Sequence, residues 1–394
     1  MFPQRLPFNV KLPLALISIS IVVYWLSILE SVLVPFIISI ILSILLFPLC
    51  DWLEKHKVGR VLAITITLVL FTMLLGVIVY LASTQIAGFS EMIPQLVSKL
   101  EKAYNNLLAW TSEKFNLSME TQTNQVKNYT DQLLDKGGAV VGTALTTTSN
   151  MLGNVSIMPV YMFFLLLYRD FFKEFFHKVF KSVEKEKVDE VLGKIYDVIH
   201  SYLSGVIIVT IIVGTLNTIS LLLLGIDYAI FFGFLAAVLL IIPYIGILIG
   251  SLLPIIIALV TKDSPMYAVG VAACFFAIQM LEGNFITPNI VGSKISINPL
   301  AAILGLLMGA TLWGIAGMAL CLPCIAIIKV IFDSVPSLQP YGFLMGEPVS
   351  DSELMDKKRK RATKIEKDIV ETISETTEDV KSFFRGKSTT KKKE

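Results

Sequence analysis

The stretch SVLVPFIISIILSILLFPLC, residues 31–50, contains no Asp, Glu, Lys, Arg or His. A bilayer's hydrocarbon core is crossed by about 20 apolar residues of helix, and this run has that length. Similar charge-free runs follow at Leu12–Leu29, Val61–Ser90, Gly137–Tyr168, His200–Ile226, Tyr228–Thr261, Ser264–Leu281 and Ile295–Ile328. Over the 394 residues only 16% are charged, against about 25% in a soluble domain. Mean hydropathy is +0.73. A soluble core would have to bury many helices with no polar face. The composition excludes a soluble globular protein and a disordered chain, and a net charge of +2 gives no footprint for nucleic acid. The alternation of an outer-membrane barrel is absent too. The fold expected is all-α: a polytopic helical membrane protein with about eight transmembrane helices.

Lys and Arg gather in short flanks, as they do on the cytoplasmic side of a membrane. Lys55, Lys57 and Arg60 follow the second run. Arg169, Lys173, Lys178, Lys181, Lys185, Lys187 and Lys194 follow the fourth, and Lys357–Arg361 follow the last. The insert 84–150 has five lysines and six acids and belongs outside. An even number of spans then puts both termini in the cytoplasm. Arg5 and Lys11 precede the first run, but no small-x-small cleavage site follows it, so a retained anchor is expected.

The organisation expected is three helices in 1–83, an extracytoplasmic helical insert in 84–150 and a fourth helix in 151–168. A basic cytoplasmic segment in 169–200, a second transmembrane half in 201–335 and a charged cytoplasmic tail in 336–394 complete it.

Motifs for catalysis are missing. Gly386-Lys387-Ser388 resembles the end of a phosphate-binding loop, but Lys381 stands where that loop needs Gly. No His-Glu-x-x-His or Gly-x-Ser-x-Gly occurs. Cys321 and Cys324 lie in an apolar run without a second ligand pair, so they read as structural. No enzyme activity, cofactor or metal is expected.

The informative polar residues lie in 279–299. Polar groups beside a span are costly and often functional. Gln279, Glu282, Asn284 and Asn289 offer oxygens that suit a hard cation, and a carboxylate also carries a proton. Asn217 is a further polar residue in an apolar run. It suits either an interhelical hydrogen bond or a substrate contact. Helix breaks or hinges are expected at Pro243, Gly246, Gly283, Pro288, Gly292, Pro299, Gly314, Gly317 and Pro323. Each of the two long runs, 228–261 and 295–328, is then one broken helix or a re-entrant hairpin. Non-helical backbone at membrane depth is tolerated where protein or water covers it, so such breaks are candidate parts of a transport path. An ordinary loop with turn residues is the competing reading of 279–299. The pairs Gly246/Gly250 and Gly305/Gly309 allow close helix approach, within one subunit or in a homo-oligomer.

Taken together, Gln279, Glu282-Gly283-Asn284, Pro288, Gly292, Pro299, Gly309, Gly314, Gly317, Pro323 and Lys329 form a pattern. With Ile242-Pro243-Tyr244-Ile245-Gly246, Pro254 and Ala258, the chain resembles the autoinducer-2 exporter family of bacterial membrane transporters over roughly residues 10–335. Ile247 departs from the family, many of whose members have Pro there. The resemblance implies a multi-pass permease of the bacterial inner membrane. It implies export of a small polar solute or signalling molecule, or alternatively sodium/proton antiport, with Glu282 carrying the ion or proton. A membrane scaffold without transport is the reading from another class. Expected partners are membrane lipid and a small-molecule or ion substrate, and no nucleic acid.

Overall fold

The computed structural model describes residues 8–115, 156–241, 245–291 and 297–347. Among them no strand occurs. Pro243, Gly292, the later part of the insert from residue 116 and the tail from 348 lie outside the described residues.

Helix α1 is Phe8–Ile28, α2 Glu30–Lys55 and α3 Arg60–Phe115. α3 runs without interruption from its apolar span into the insert. α4 is Met158–Leu167, α5 Arg169–Val179 and α6 Lys185–Leu223. α7 (Ala229–Leu239) and α8 (Ile245–Thr261) lead to α9 (Met266–Leu281), a π turn (Glu282–Ile286) and α10 (Thr287–Ile290). α11 is Pro299–Ser334 and α12 Gln339–Met345. Among the described residues, five helical stretches are long and apolar enough to cross a membrane, and four shorter apolar helices accompany them. The protein is therefore a polytopic helical membrane protein.

Large apolar side chains cover the outside, as lipid-facing helices require. Leu62, Val69, Leu70 and Met73 on α3 are all more than half exposed. The interior holds two main layers. Cys50, Ile64, Leu68, Met162 and Leu166 join α2, α3 and α4. Leu221, Phe232, Ala236, Ile257, Ala258, Val271 and Phe275 join α6 to α9.

Both long late runs fold back on themselves. α11 has 36 residues and as a straight rod would reach about 54 Å, well beyond a hydrocarbon core of about 30 Å. Its helical geometry fails at Trp313 (φ −136°, ψ 24°) and Gly314 (φ 56°, ψ −134°). Gly314 adopts a backbone conformation that side chains disfavour. Beyond it, Gly317 lies on Gly309 and Ile325 lies on Gly305. These pairings diverge from 313–314 in both directions, as the arms of an antiparallel hairpin do. The first arm, 299–312, is about 21 Å long, too short to cross. In the same way Gly246 lies against the Leu239 carbonyl, and Gly250 lies 2.8 Å, measured from an added Cβ, from the Ala236 Cα. α7 and α8 thus form the other hairpin. Each of the small-residue pairs Gly246/Gly250 and Gly305/Gly309 packs within its own chain.

The hairpins leave opposite ends of the α6–α9 pair. α6 and α9 are antiparallel: Gly205 faces Val291, while Leu221 shares a cluster with Val271 and Phe275. The α7–α8 hairpin is entered after Leu223 and left before Met266. The α11 hairpin is entered from the Val291 end.

The base of the α11 hairpin is tied. Asn298 caps α11, its side chain accepting from the Ala301 N–H at 2.8 Å. Its Nδ2 donates to the Leu344 carbonyl at 2.6 Å, and its N–H donates to the Met345 carbonyl at 2.9 Å. At the other end of α11 the Gln339 amide donates to the Asp333 carbonyl at 3.4 Å. Asn298→Ala is expected to lower stability by about 0.5–2 kcal/mol, the range for a lost helix cap. A thermal unfolding midpoint in detergent reads it.

Two basic segments that sequence placed on one side of the membrane meet in space. Arg169 holds Glu54 with two parallel bonds of 2.9 and 2.6 Å, and Arg60 holds Asp170 at 2.6 Å. The Glu54 hydrogen bond raises the Arg169 pKa above its ordinary value. The Arg60 hydrogen bond holds the Asp170 carboxyl below its ordinary value. Arg169 and Glu54 are only 25% and 20% exposed, so breaking the pair leaves a poorly solvated guanidinium. Glu54→Ala is expected to cost about 2 kcal/mol, as for lost hydrogen bonds to a charged group. The same unfolding measurement tests this.

Candidate functional site

The span that begins at Met266 does not end at Gly283 or Pro288. The regular α-helix is interrupted at the expected place, after Leu281, but the helical path is not. Helical backbone continues through Glu282–Ile286 as a π turn and on to Ile290. The physical reason lies in the proline. Pro288 lacks an N–H, and its ring would strike the carbonyl of residue 284 in a regular α-helix. A wider i→i+5 turn directly before it relieves the crowding. The Thr287 N–H accordingly donates to the Glu282 carbonyl.

That turn also builds the site. Five residues along an α-helix are about 140° apart around its axis. In the π turn, residues five apart come onto one face. Thr287 Oγ1 therefore reaches Glu282 Oε1 at 2.5 Å. From the preceding turn Gln279 Nε2 donates to Glu282 Oε2 at 2.6 Å. Both carboxylate oxygens are thus held, each by a neutral donor. Gln279, Glu282 and Thr287 are all half-buried. Among the described residues no Lys, Arg or His forms an ion pair with Glu282. Lys329 is 2.5 Å from Asp333 instead. An acidic side chain in an apolar span is costly and often functional.

Neighbouring packing is apolar. Ile286, Ile290 and Val291 lie against the cluster of Val209, Val213, Ala237 and Ile278. α6 thus backs the π turn and fixes its rotation.

The other expected residues have different places. Asn284 Nδ2 donates to the Met280 carbonyl at 2.8 Å, and Asn289 Nδ2 donates to the Phe285 carbonyl at 2.7 Å. Both side chains are exposed and neither joins the carboxylate. Asn217 is 3% exposed on α6. It lies one turn from Val213, which packs with Ile278, and one turn from Leu221, which packs with Phe275. Its Oδ1 and the adjacent Thr218 Oγ1 are buried without a hydrogen-bond partner.

Of the remaining breaks, Gly314 turns the chain and Pro299 begins α11, where proline suits the first helical turn. Two others are corrected, while Gly246 stands at the α7–α8 reversal as the second residue of α8. Gly317 and Pro323 are inside a helix. The two glycines serve close backbone approach, and Pro323 is buried in the second arm of the hairpin. Among the described residues no cluster of three metal-ligating side chains occurs.

Sequence reading missed Thr287. Its signal was the spacing of five from Glu282, followed by Pro288, which makes sense only once a π turn is considered.

The sequence pattern described as AI-2E family transporter matches residues 14–337. "Putative transport protein YrrI" of Bacillus subtilis (strain 168) is 27% identical over 318 residues, covering 78% of this chain and 87% of its own. A "Putative transport protein" of Haemophilus influenzae is 25% identical over 336 residues, 85% of this chain and 95% of its own. "AI-2 transport protein TqsA" of Escherichia coli (strain K12) is 23% identical over 317 residues, 80% of this chain and 90% of its own.

Proposed function

We propose, from the premise that this chain belongs to the AI-2E family of transporters, that it is a secondary exporter of a small polar solute or signalling molecule. Glu282 carries the coupling proton. The observation behind this reading is a half-buried carboxylate held by two neutral donors, Gln279 and Thr287, with no cation paired to it among the described residues. An acidic residue inside a membrane span is costly to keep and marks a substrate, ion or proton path. The two hairpins, entered from opposite ends of the α6–α9 pair, are the kind of discontinuous element that transport folds place around a path. The protein sits in the bacterial inner membrane with both termini in the cytoplasm, in keeping with the basic flanks. The name of the Escherichia coli relative suggests autoinducer-2 as the first solute to test.

Sodium/proton antiport is the second reading. The same carboxylate favours it, because Glu282 and the carbonyl oxygen of Gln279 are hard ligands that suit a small cation.

Purified protein in liposomes separates the two. Export predicts that an imposed pH gradient drives autoinducer-2 movement, with sodium having no effect. It also predicts that cells lacking the protein retain the molecule. Antiport predicts that sodium alone, added to one side, moves protons. Absence of both fluxes overturns both readings and leaves a scaffold.

A further inference from the structure

Helix α5, RDFFKEFFHKV, carries two completely segregated faces. At 100° per residue, Phe171, Phe172, Phe175, Phe176 and Val179 fill an arc of about 140°. Arg169, Asp170, Lys173, Glu174, His177 and Lys178 fill the rest. The apolar arc is open: Phe171 is 64% exposed, Phe175 51% and Val179 54%. Phe180, directly after the helix, extends it and is 48% exposed.

Polar contacts set which way this face points. Lys173 and His177 on the polar side both reach Asp189 of α6, at 3.0 and 2.7 Å. Arg169 at the start is fixed to Glu54. The polar face is fastened to the protein and the phenylalanines are turned away from it. Four cations against two acids occur between residues 169 and 183.

What covers the phenylalanines follows from the surface they continue. Phe164 on the apolar span α4 stacks on Tyr168 at 6.0 Å and 5°. Tyr168 meets Phe171 edge-on at 6.4 Å, and Phe171 meets Phe172 at 6.2 Å. Phe164 also lines an apolar groove of about 740 Å³ between α3 and α4, with Leu68, Val69, Met73, Val160 and Phe163. The chain of rings thus runs without a gap from a lipid-facing span onto α5.

We propose that α5 is an in-plane membrane helix. Its phenylalanine face sits in the acyl boundary of one leaflet, and its cations lie at the level of anionic headgroups. Segregated faces, a broad aromatic arc and a basic excess are what an interfacial helix needs.

Spin labels at two adjacent positions test this in the full chain. Phe175→Cys and Glu174→Cys are labelled separately, in vesicles of phosphatidylethanolamine and phosphatidylglycerol. Molecular oxygen, concentrated in lipid, should collide with the label at 175 more often than a water-soluble nickel chelate does. At 174 the order should reverse. Water-like collisions at both positions overturn the proposal. Shielding of position 175 from both reagents also overturns it, since protein then covers the face. The four native cysteines are replaced for this purpose. If that chain fails to insert they are retained, and the signal of labelled wild type is subtracted. Cys50 and Cys321 are buried and Cys274 and Cys324 half-buried, so that background is small.

Discussion

Glu282→Gln is expected to abolish proton-coupled flux while leaving a folded, membrane-inserted protein. Glutamine keeps the length and planar end of the side chain. One of its atoms still accepts from Thr287 Oγ1, the bond that measures 2.5 Å with the carboxylate. What disappears is the ability to change charge. Loss of a titrating group does not scale a coupled process down; it removes the coupling. Proton movement should therefore fall to that of protein-free liposomes, with the unfolding midpoint close to wild type. Thr287→Val and Gln279→Leu each remove one hydrogen bond to a charged acceptor, a contribution of about 1.5–3 kcal/mol. Flux should fall roughly tenfold or more for each and remain measurable. Asn289→Ala is the control. Its amide serves only the Phe285 carbonyl on an exposed face, so flux should stay within twofold or so. Wild-type proton flux in Glu282→Gln would remove Glu282 from the mechanism.

Gly317→Ala is expected to be among the two most damaging glycine-to-alanine substitutions in α11. The new methyl would strike the carbonyl of Gly309 on the opposing arm. Backbone cannot rotate aside as a long side chain can, so the arms must separate. Overpacking costs about 1–3 kcal/mol where side chains yield; here the cost should reach the top of that range. Gly309→Ala, which meets the Gly317 carbonyl, should behave alike. Gly314→Ala tests a different cause. Nothing lies within 4 Å of its added methyl, but its φ is +56°, and such strain costs about 1–3 kcal/mol. Gly283 has open space and no positive φ, so Gly283→Ala should be neutral or mildly stabilising. The order of unfolding midpoints across the four variants checks the set. Equal midpoints for Gly317→Ala and Gly283→Ala would show that the arms do not touch.

Charge-free runs such as 31–50 were enough to read a helical membrane protein, because lipid forbids unpaired charge along the whole length of a helix. The hairpins were half legible. Gly314 and Gly317 look the same as letters, yet one turns the chain and the other lets two arms meet. Only the partner across the gap distinguishes them. Gly283 and Pro288 were half legible for a related reason. Both disfavour an α-helix, but the helix survives by widening for one turn, and that widening brings Thr287 to Glu282. The phenylalanines of α5 were hidden by their neighbours. A tally of Lys and Arg in 169–200 records a basic segment and passes over the spacing that gathers its rings on one face.

The tie at the foot of the α11 hairpin fixes an order of assembly. The α7–α8 hairpin brings together residues only seven apart, Leu239 and Gly246, so it closes as soon as it is made. Asn298 must wait for Leu344, 46 residues later. Chains emerge from the ribosome N-terminus first. The second hairpin is consequently left unfastened until α12 has been synthesised, and a chain that stops before Gln339 never fastens it. The last described helix thus completes the assembly: a chain that ends between Ser334 and Gln339 still contains both arms of the second hairpin but lacks the tie at its foot.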